Sequence, residues 1–456
     1  MSEDPVCRLG PPPRFAVVGN PDDRRVTLFA AAARAAGLPA PRVVPWRQVL
    51  RDGGARFAPH ETVRVDSPGD DPEVDLLLRG GPEPLEPTRV EGSARWYGRF
   101  TAAVSTLSGG MPLDHPGELA VLFDKRLCHG VLRAAGVPVP QSPTSGPDGA
   151  RIHGWADARA LMREHRMARV FLKPAHGSSA SGVLAVESAS GGRVRATTSV
   201  ELTDGGLFNS LRVRRYERET EVAAIVDRLA PDGLHLERWL PKAALRDRVA
   251  DLRVVVVAGR ATHAVVRTSR TPLTNLHLGG ARGDLSAARD AVEAAGTRWA
   301  EVLRVCERAA ACFPRTLCVG VDLLPGVGWR RFAVGEVNAF GDLLPGLTGL
   351  PGSGAEGLDT YGAQIAAVLR PPPAPGRTAP HRRARVRDPT RPADRPHTGH
   401  PRSPSQDTAH RTGDHRVFVA VGGLPAAHSP ARCRAGPAGP PGARRRTGHE
   451  RRRRHA

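Results

Sequence analysis

The sequence predicts an α+β protein, with a small α/β domain in front and a basic tail without regular structure behind. Three observations lead there. Strand-length apolar runs and helix-period runs are mixed through residues 115–370. A strand–helix–strand order opens the chain over residues 14–114. After residue 370 the periodic apolar positions largely stop, and Arg and Pro take over.

Taken in order, a Pro-rich entry (Pro11 to Pro13) leads into an apolar strand over 15–19. Residues 25–36 have a helical pattern stopped by Gly37. A further strand is expected over 74–78, ending at Arg79-Gly80-Gly81. At a strand end these three residues would either hold a carboxylate or form a plain turn with a solvated Arg. The segment 89–98 carries Arg, Trp and Tyr and is expected near the same cleft. Beyond 114, helices are predicted over 125–135, closed by Gly136 and Pro138, and over 156–166, 219–229 and 361–370. One or two more fall within 286–313. Strands are predicted near 169–173, 183–187, 234–237, 252–258, 262–267, 317–324 and 331–337.

The chain has 456 residues, enough for two or three domains, and its apolar fraction can fill a core over the first 370. No run of about eighteen uncharged apolar residues occurs, so no membrane span is expected. Met1-Ser2-Glu3-Asp4-Pro5 lacks the basic-then-apolar pattern of a signal peptide. The six cysteines form no Cys-x-x-Cys pair. Cys306, Cys312 and Cys318 recur every six residues. They read either as a zinc site or, more plainly, as two small apolar helix positions and a strand start. A reduced, cytoplasmic protein is the simplest expectation. Residues 371–456 hold 19 Arg, no Lys and five acidic residues, a net +14, which leaves +6 of the chain's +20 for residues 1–370. The tail reads as disordered low-complexity sequence, or as a binder of acidic surfaces by counterion release; no aromatic interleaving supports the second reading.

Near 330 the sequence becomes chemically specific. Asp322-Leu323-Leu324 is followed by Gly335-Glu336-Val337-Asn338. Glu336 and Asn338 alternate by two, so both leave the same face of one strand, and Asp322 would reach that face from the strand before. Three oxygen ligands are too few to cage Ca2+. They suit Mg2+, with Mn2+ as the alternative ion, because Mg2+ keeps waters and takes its other oxygens from substrate phosphates. The lysines point the same way. Of 66 basic residues only Lys125, Lys173 and Lys242 are Lys. An ammonium that survives such a bias toward Arg marks a place where a guanidinium fork does not fit. Lys173 ends an apolar strand and is followed by Pro174, a small-residue loop (Gly177, Ser178, Ser179, Ala180, Ser181, Gly182) and another apolar strand. The loop is either a plain hairpin or a phosphate cradle in which backbone N–H groups approach oxygen closely. It is not a Walker loop, whose Gly-Lys-Ser/Thr order is absent.

In this order, Lys-Pro with Gly-Ser-Ser, then Glu237-Arg238-Trp239-Leu240, then Asp…Glu-x-Asn, the motifs resemble those of the ATP-grasp superfamily. Its members include D-alanine–D-alanine ligase, glutathione synthetase and the peptide-tailoring glutamate ligases. The resemblance covers roughly residues 115–350. It implies an ATP-grasp fold, two α+β subdomains enclosing ATP under a mobile loop, and it implies that the domain in front helps bind the other substrate. By resemblance, Lys125, in Phe123-Asp124-Lys125, would reach the ATP phosphates from a helix that Asp124 caps. Lys173 would be the second ATP lysine, with Ser178, Ser179 and Gly182 in the phosphate loop. Glu237 and the main chain of Arg238, Trp239 and Leu240 would hold adenine; the family often has Lys after that Glu, and Arg238 weakens any side-chain role there. Asp322, Glu336 and Asn338 would be the metal ligands.

Asp251-Leu252-Arg253, then Asn275-Leu276-His277-Leu278-Gly279-Gly280, is similar to the glutamate-ligase branch. There Asp251 would contact ribose and Asn275 the phosphates. His277 reads equally as an ordinary loop histidine. Arg253 and Arg267 sit at alternate positions on apolar strands, so burial would demand an anionic partner. A phosphate or acyl phosphate would serve, giving both a catalytic role with Asn275, and so would Asp251, Asp284 or Asp322. The implied reaction is carboxylate–amine ligation. A carboxylate attacks the γ-phosphorus of ATP, and an amine then displaces phosphate from the acyl phosphate. Such catalysis needs positioning and charge neutralisation, with water kept out. The expected partners are ATP, Mg2+, a small-molecule or peptide carboxylate and an amine acceptor, with neither a membrane nor nucleic acid among them. Two other classes stand beside this one: a non-catalytic nucleotide-binding protein of the same fold, and a nucleic-acid binder driven by the tail.

Overall fold

The computed structural model describes residues 13–81, 86–177, 180–189, 191–340 and 346–370. The expectations for Ser178, Ser179 and the tail over 371–456 lie outside these residues.

Three sheets organise the described residues. The first is parallel. It comprises β1 (Arg14–Val18), α1 (Arg24–Ala35), β2 (Arg42–Val44), α2 (Trp46–Asp52), β3 (Ala55–Val65), α3 (Pro72–Arg79), α4 (Ser93–Ser105) and β4 (Leu107–Pro112), with strand order β2-β1-β3-β4. Asp23 caps α1 by accepting from the Arg25 N–H, and Gly37, at φ 73°, ends the turn that follows. The strand expected over 74–78 is instead the middle of α3. Asp71 accepts from the N–H groups of Glu73 and Val74 at 2.9 and 3.0 Å, Pro72 opens the helix and Gly80 closes it at φ 64°. Val74 and Leu78, four apart, are the residues α3 buries, a helical spacing that the cap enforces. Arg79 therefore ends a helix, and its guanidinium is taken by Asp75 at 2.8 Å and the Glu91 carbonyl at 3.0 Å.

The second sheet is antiparallel. After α5 (Pro116–Leu122), α6 (Lys125–Ala134) and α7 (Trp155–Glu164) come β5 (Arg169–Pro174), β6 (Leu184–Ser188), β7 (Val194–Thr203), β8 (Gly206–Tyr216), α8 (Glu219–Leu229) and β9 (Leu234–Arg238), in strand order β8-β7-β6-β5-β9. Trp155 and Met162 of α7 and Ile225 and Leu229 of α8 bury against Leu172, Leu184 and Leu236 of the sheet. The β7–β8 hairpin was not among the strands predicted from sequence.

The third sheet contains β10 (Ala244–Leu245), β11 (Arg248–Val257), β12 (Arg260–Ser269), β13 (Ala281–Gly283), β14 (Cys318–Pro325) and β15 (Phe332–Ala339), in order β13-β12-β11-β14-β15 with β10 beside β11. Helices α9 (Leu285–Ala294) and α10 (Trp299–Ala310) fill the 286–313 stretch as two helices. Cys306 is buried in α10 and Cys318 opens β14, as read from sequence, whereas Cys312 lies just past the end of α10. The final helix, α11 (Thr360–Leu369), returns to the first sheet, where Tyr361 and Ile365 join Phe15, Val17 and Phe29. Buried Arg64 crosses this seam, 4.9 Å from the Phe29 ring and 5.3 Å from that of Tyr361, paired to Asp66 and donating to Gln364. One apolar cluster runs from Trp46, Phe100 and Leu119 to Val254, Val321 and Val337, so the first and third sheets share a core. Among the described residues no helix is long and apolar enough to cross a membrane.

Because α3 depends on its cap, Asp71→Ala should lower global stability by about 1 kcal/mol in urea denaturation, with the slope unchanged. No effect would mean that packing of Val74 and Leu78 alone holds the helix.

Candidate functional site

The second and third sheets, with the start of α6, enclose a cleft of about 940 Å3 counted out to its mouth. Strand register fixes what it contains. β14 and β15 pair so that Asp322 faces Glu336 and Gly320 faces Asn338. Between Asp322 and Leu323 the register slips past Gly335, a bulge that re-aims the strand beside the acidic pair. On the other side of β14, Asp322 faces Arg253 of β11, and one step away Asp251 faces Arg267 of β12. Two-residue alternation and cross-strand pairing thus gather these groups from four adjacent strands.

Arg253 grips Asp322 with two nitrogens, Nη2 at 3.1 Å from Oδ2 and Nε bonded to Oδ1. Arg267 places Nη2 3.0 Å from Asp322 and Nε 2.8 Å from Asp251. Of the anionic partners open to these arginines, the protein supplies Asp322 and Asp251; Asp284 instead caps α9. Burial pushes the Asp322 carboxyl up, but Arg253 and Arg267 outweigh it and hold the group well below the usual carboxylate range. Burial likewise opposes the charge on Arg267, and Asp322 and Asp251 raise its pKa nonetheless.

The lysines come from the other side. Asp124 caps α6 through the Arg126 N–H at 2.9 Å, as the sequence predicts, and Lys125 follows at the first helical position. Its Nζ lies 3.1 Å from Glu336 and donates to the Gly177 carbonyl at 2.7 Å. Lys173 of β5 pairs with Glu237 of β9 at 2.6 Å and approaches the Gly335 carbonyl at 3.5 Å. Glu237 is buried and Lys173 is largely so. Burial alone would pull the Lys173 ammonium down, yet Glu237, Glu336 and Asp322 drive its pKa up. Burial would raise the Glu237 carboxyl, yet Lys173 and His235 bring it down to about 2. His235 Nε2 stands 3.5 Å from Glu237 Oε2, and that oxygen has no hydrogen bond within the described residues. Glu237 itself lines the cleft.

Twelve residues singled out from sequence line this one cleft: Lys125, Lys173, Glu237, Arg238, Leu240 and Asp251, with Arg253, Arg267, Asn275, Asp322, Glu336 and Asn338. Two others do not. Trp239 packs its ring 5.4 Å from that of Phe171 and under Arg169. Gly182 is held by packing, since at φ +71° an added Cβ would stand 2.6 Å from Pro174 and 2.9 Å from Val90. The main-chain N–H groups of Arg238 and Trp239 already donate to Gln141 and Arg169 carbonyls, at 2.8 and 3.1 Å, so of the three hinge N–H groups Leu240's is left to consider. The Arg238 side chain turns to Gln141, as its mild departure from the motif foreshadowed. Asn275 accepts from the His277 N–H at 2.8 Å and Asn338 donates to the Gly320 carbonyl at 3.3 Å. The sequence reading gave no role to Lys242 and did not single out Thr274; both line the cleft, with Nζ 3.0 Å from Thr274 Oγ1. The rarity of Lys was a signal for the first; nothing local marked the second.

No family model matches the sequence, and no curated protein matches it. Solved structures similar to this chain include an ATP-grasp ligase, a D-cycloserine synthetase and a D-alanine–D-alanine ligase. The ATP-grasp ligase PsnB, complexed with a phosphomimetic variant of its minimal precursor, Mg and ADP, is 19% identical at a TM-score of 0.41 and covers 78% of this chain and 98% of its own. The D-cycloserine synthetase DcsG is 15% identical at 0.46, with the same coverage. The D-alanine–D-alanine ligase of Bacillus anthracis, complexed with ATP, is 11% identical at 0.38 and covers 78% of this chain and 96% of its own. Likenesses this distant leave the site to be judged on its own geometry.

Lys173→Met should strand a buried carboxylate and cost about 3–5 kcal/mol, and adding Glu237→Gln should recover most of it. The pH sign follows from Glu237, whose carboxyl drops from 4.5 to about 2 on folding. Its contribution is complete above the unfolded value and disappears as pH falls toward the folded one. Urea titrations between those limits should therefore show an acid-dependent loss in the wild type that the double variant lacks.

Proposed function

We propose that this chain is an ATP-dependent carboxylate–amine ligase that works through an acyl phosphate with Mg2+. The observation that supports this most directly is the convergence of two lysines with Asp322, Glu336 and Asn338 on one cleft. Residues 115–370 would form the nucleotide-enclosing pair of subdomains and residues 14–114 a domain that helps hold the acid.

The donor set fits the ion. Asp322, Glu336 and Asn338 offer hard oxygens from two hydrogen-bonded strands. No cluster of three or more His, Cys, Asp or Glu able to hold a metal occurs among the described residues, and here the third donor is an amide. Such a set suits an ion that completes its shell from phosphates and water. Bound there, Mg2+ would neutralise phosphate charge during transfer.

The chain's own residues would do the rest. Lys125 and Lys173 exchange a carboxylate partner for phosphate oxygens. Arg253 and Arg267 stand over Asp322, where charge accumulates as the acid oxygen bonds the γ-phosphorus and the bond to ADP breaks. Adenine would enter between Phe171, Val183 and Leu240, with the Leu240 N–H and the Glu237 carboxylate as its polar contacts. Asp251 would face ribose and Asn275 the phosphates. The amine then attacks the acyl carbon, phosphate leaves, and the amine gives up a proton. The acid would be a small molecule or a peptide side chain.

ADP release from Mg2+ and ATP, screened over acids and amines, should locate a productive pair. Glu336→Gln should raise the Mg2+ requirement at least about tenfold, and Lys125→Met should weaken nucleotide binding. Unchanged ADP release from Lys173→Met would overturn the reading.

A further inference from the structure

Lys242 is the third lysine of the chain and lines the same cleft as the other two. Its backbone is anchored by a bridge to Gly326, just past β14, and the next N–H, of Ala243, donates to the Pro325 carbonyl at 2.8 Å. The root of the side chain is thus tied to the strand that carries Asp322. Its tip reaches a different segment. Nζ donates to the Pro272 carbonyl at 3.1 Å and to Thr274 Oγ1 at 3.0 Å, and lies 3.6 Å from Asp251 Oδ2. Two of its three donors have acceptors at hydrogen-bond distance, and the third side of the ammonium faces the Asp251 carboxylate as an ion pair. Thr274 also donates to Asp251, so lysine, hydroxyl and carboxylate form a closed triangle.

The triangle continues into the proposed reaction centre. The other oxygen of Asp251 receives Arg267, whose second nitrogen reaches Asp322. Asn275, the next residue after Thr274, lines the cleft. The charge on Lys242 is not there for packing. Burial drives its pKa down and Arg267 adds to this, while Asp251 opposes both, and the net direction is downward. An apolar side chain would fill the volume without that cost. A guanidinium, planar and wider, cannot aim three donors into this three-sided cage.

We propose that Lys242 is a positioning residue of the ligase site: it locks the 272–275 segment and, through Asp251, sets the direction of Arg267. The proposal rests on the cleft being the nucleotide site. Lys242 touches no reacting atom; it acts through Asn275 and Arg267.

The test uses the full-length protein, a fluorescent ATP analogue with Mg2+ for affinity, and ADP release with the best acid–amine pair of the wild type. Lys242→Met should weaken nucleotide affinity, through Asp251 and Asn275, by no more than about tenfold while kcat falls about 100-fold, the scale of an ångström-level misplacement, and Lys242→Arg should not restore it. Amides of 272–280 should exchange faster in Lys242→Met. A wild-type kcat in Lys242→Met, or full rescue by Lys242→Arg, overturns the proposal. Should Lys242→Met fail to fold, Thr274→Val removes one acceptor and keeps the charge; it should lower kcat about tenfold, more than it weakens nucleotide affinity, and an unchanged kcat again overturns it. If the wild type binds no nucleotide, the ligase reading itself falls, an outcome distinct from a bound but unaffected variant.

Discussion

Charge taken out of water must be matched by charge, and this constraint shapes the cleft. Among the described residues its lining contains six cationic side chains and four carboxylates, and each carboxylate has a cation on it: Lys173 on Glu237, Lys125 on Glu336, two arginines on Asp322, Arg267 and Lys242 on Asp251. Without such pairs the strands could not carry these groups at this depth. In the proposed reading the same pairs would prepare the cleft for a polyanion. Phosphates would take over the cations while Mg2+ would take over Asp322 and Glu336. The protein's own charged groups would then stay compensated, so the desolvation they met in folding would not be met again on binding.

That economy depends on where the pairs sit. Antiparallel register holds Asp322 against Arg253 on one side and Glu336 on the other. A slip of one residue in β15 would turn Glu336 and Asn338 to the opposite face. The bulge at Gly335 makes the register work. An added Cβ there would sit 3.0 to 3.3 Å from Leu324 side-chain atoms, and the Gly335 carbonyl faces Lys173 at 3.5 Å. Stability of the third sheet and geometry of the cleft are thus one requirement.

Much of this was legible from sequence because it is local. Glu336 and Asn338 share a face by alternation alone, Asp124 announces its helix, and the small-residue loop follows Lys173 directly. The failures have local causes too. The apolar run in 74–78 looks like a strand until Asp71-Pro72 is read as a helix start. The β7–β8 hairpin escaped because its Thr, Ser and Arg side chains hide a strand that is buried only in part. Other features were beyond sequence in principle. Nothing near Lys242 says that Pro272 and Thr274 will come to it, and nothing near Arg267 says that it divides itself between two aspartates. Such contacts exist only once β11, β12 and β14 have paired.

The lysines show how composition and geometry meet. In a chain that writes nearly all its positive charge as Arg, all three ammonium groups line one cleft. Each is set between a carboxylate and a main-chain carbonyl: Lys125 with Glu336 and Gly177, Lys173 with Glu237 and Gly335, Lys242 with Asp251 and Pro272. A carboxylate alone would accept a guanidinium fork, and better. A carboxylate and a carbonyl converging from different directions on one small volume require donors that diverge from a point, as those of an ammonium do. Arg persists where a flat partner is offered, as Asp322 offers itself to Arg253, and Lys persists where the partners surround the tip. The bias in the sequence therefore acts as a filter, and what passes it is the set of positions whose acceptors are arranged around a point.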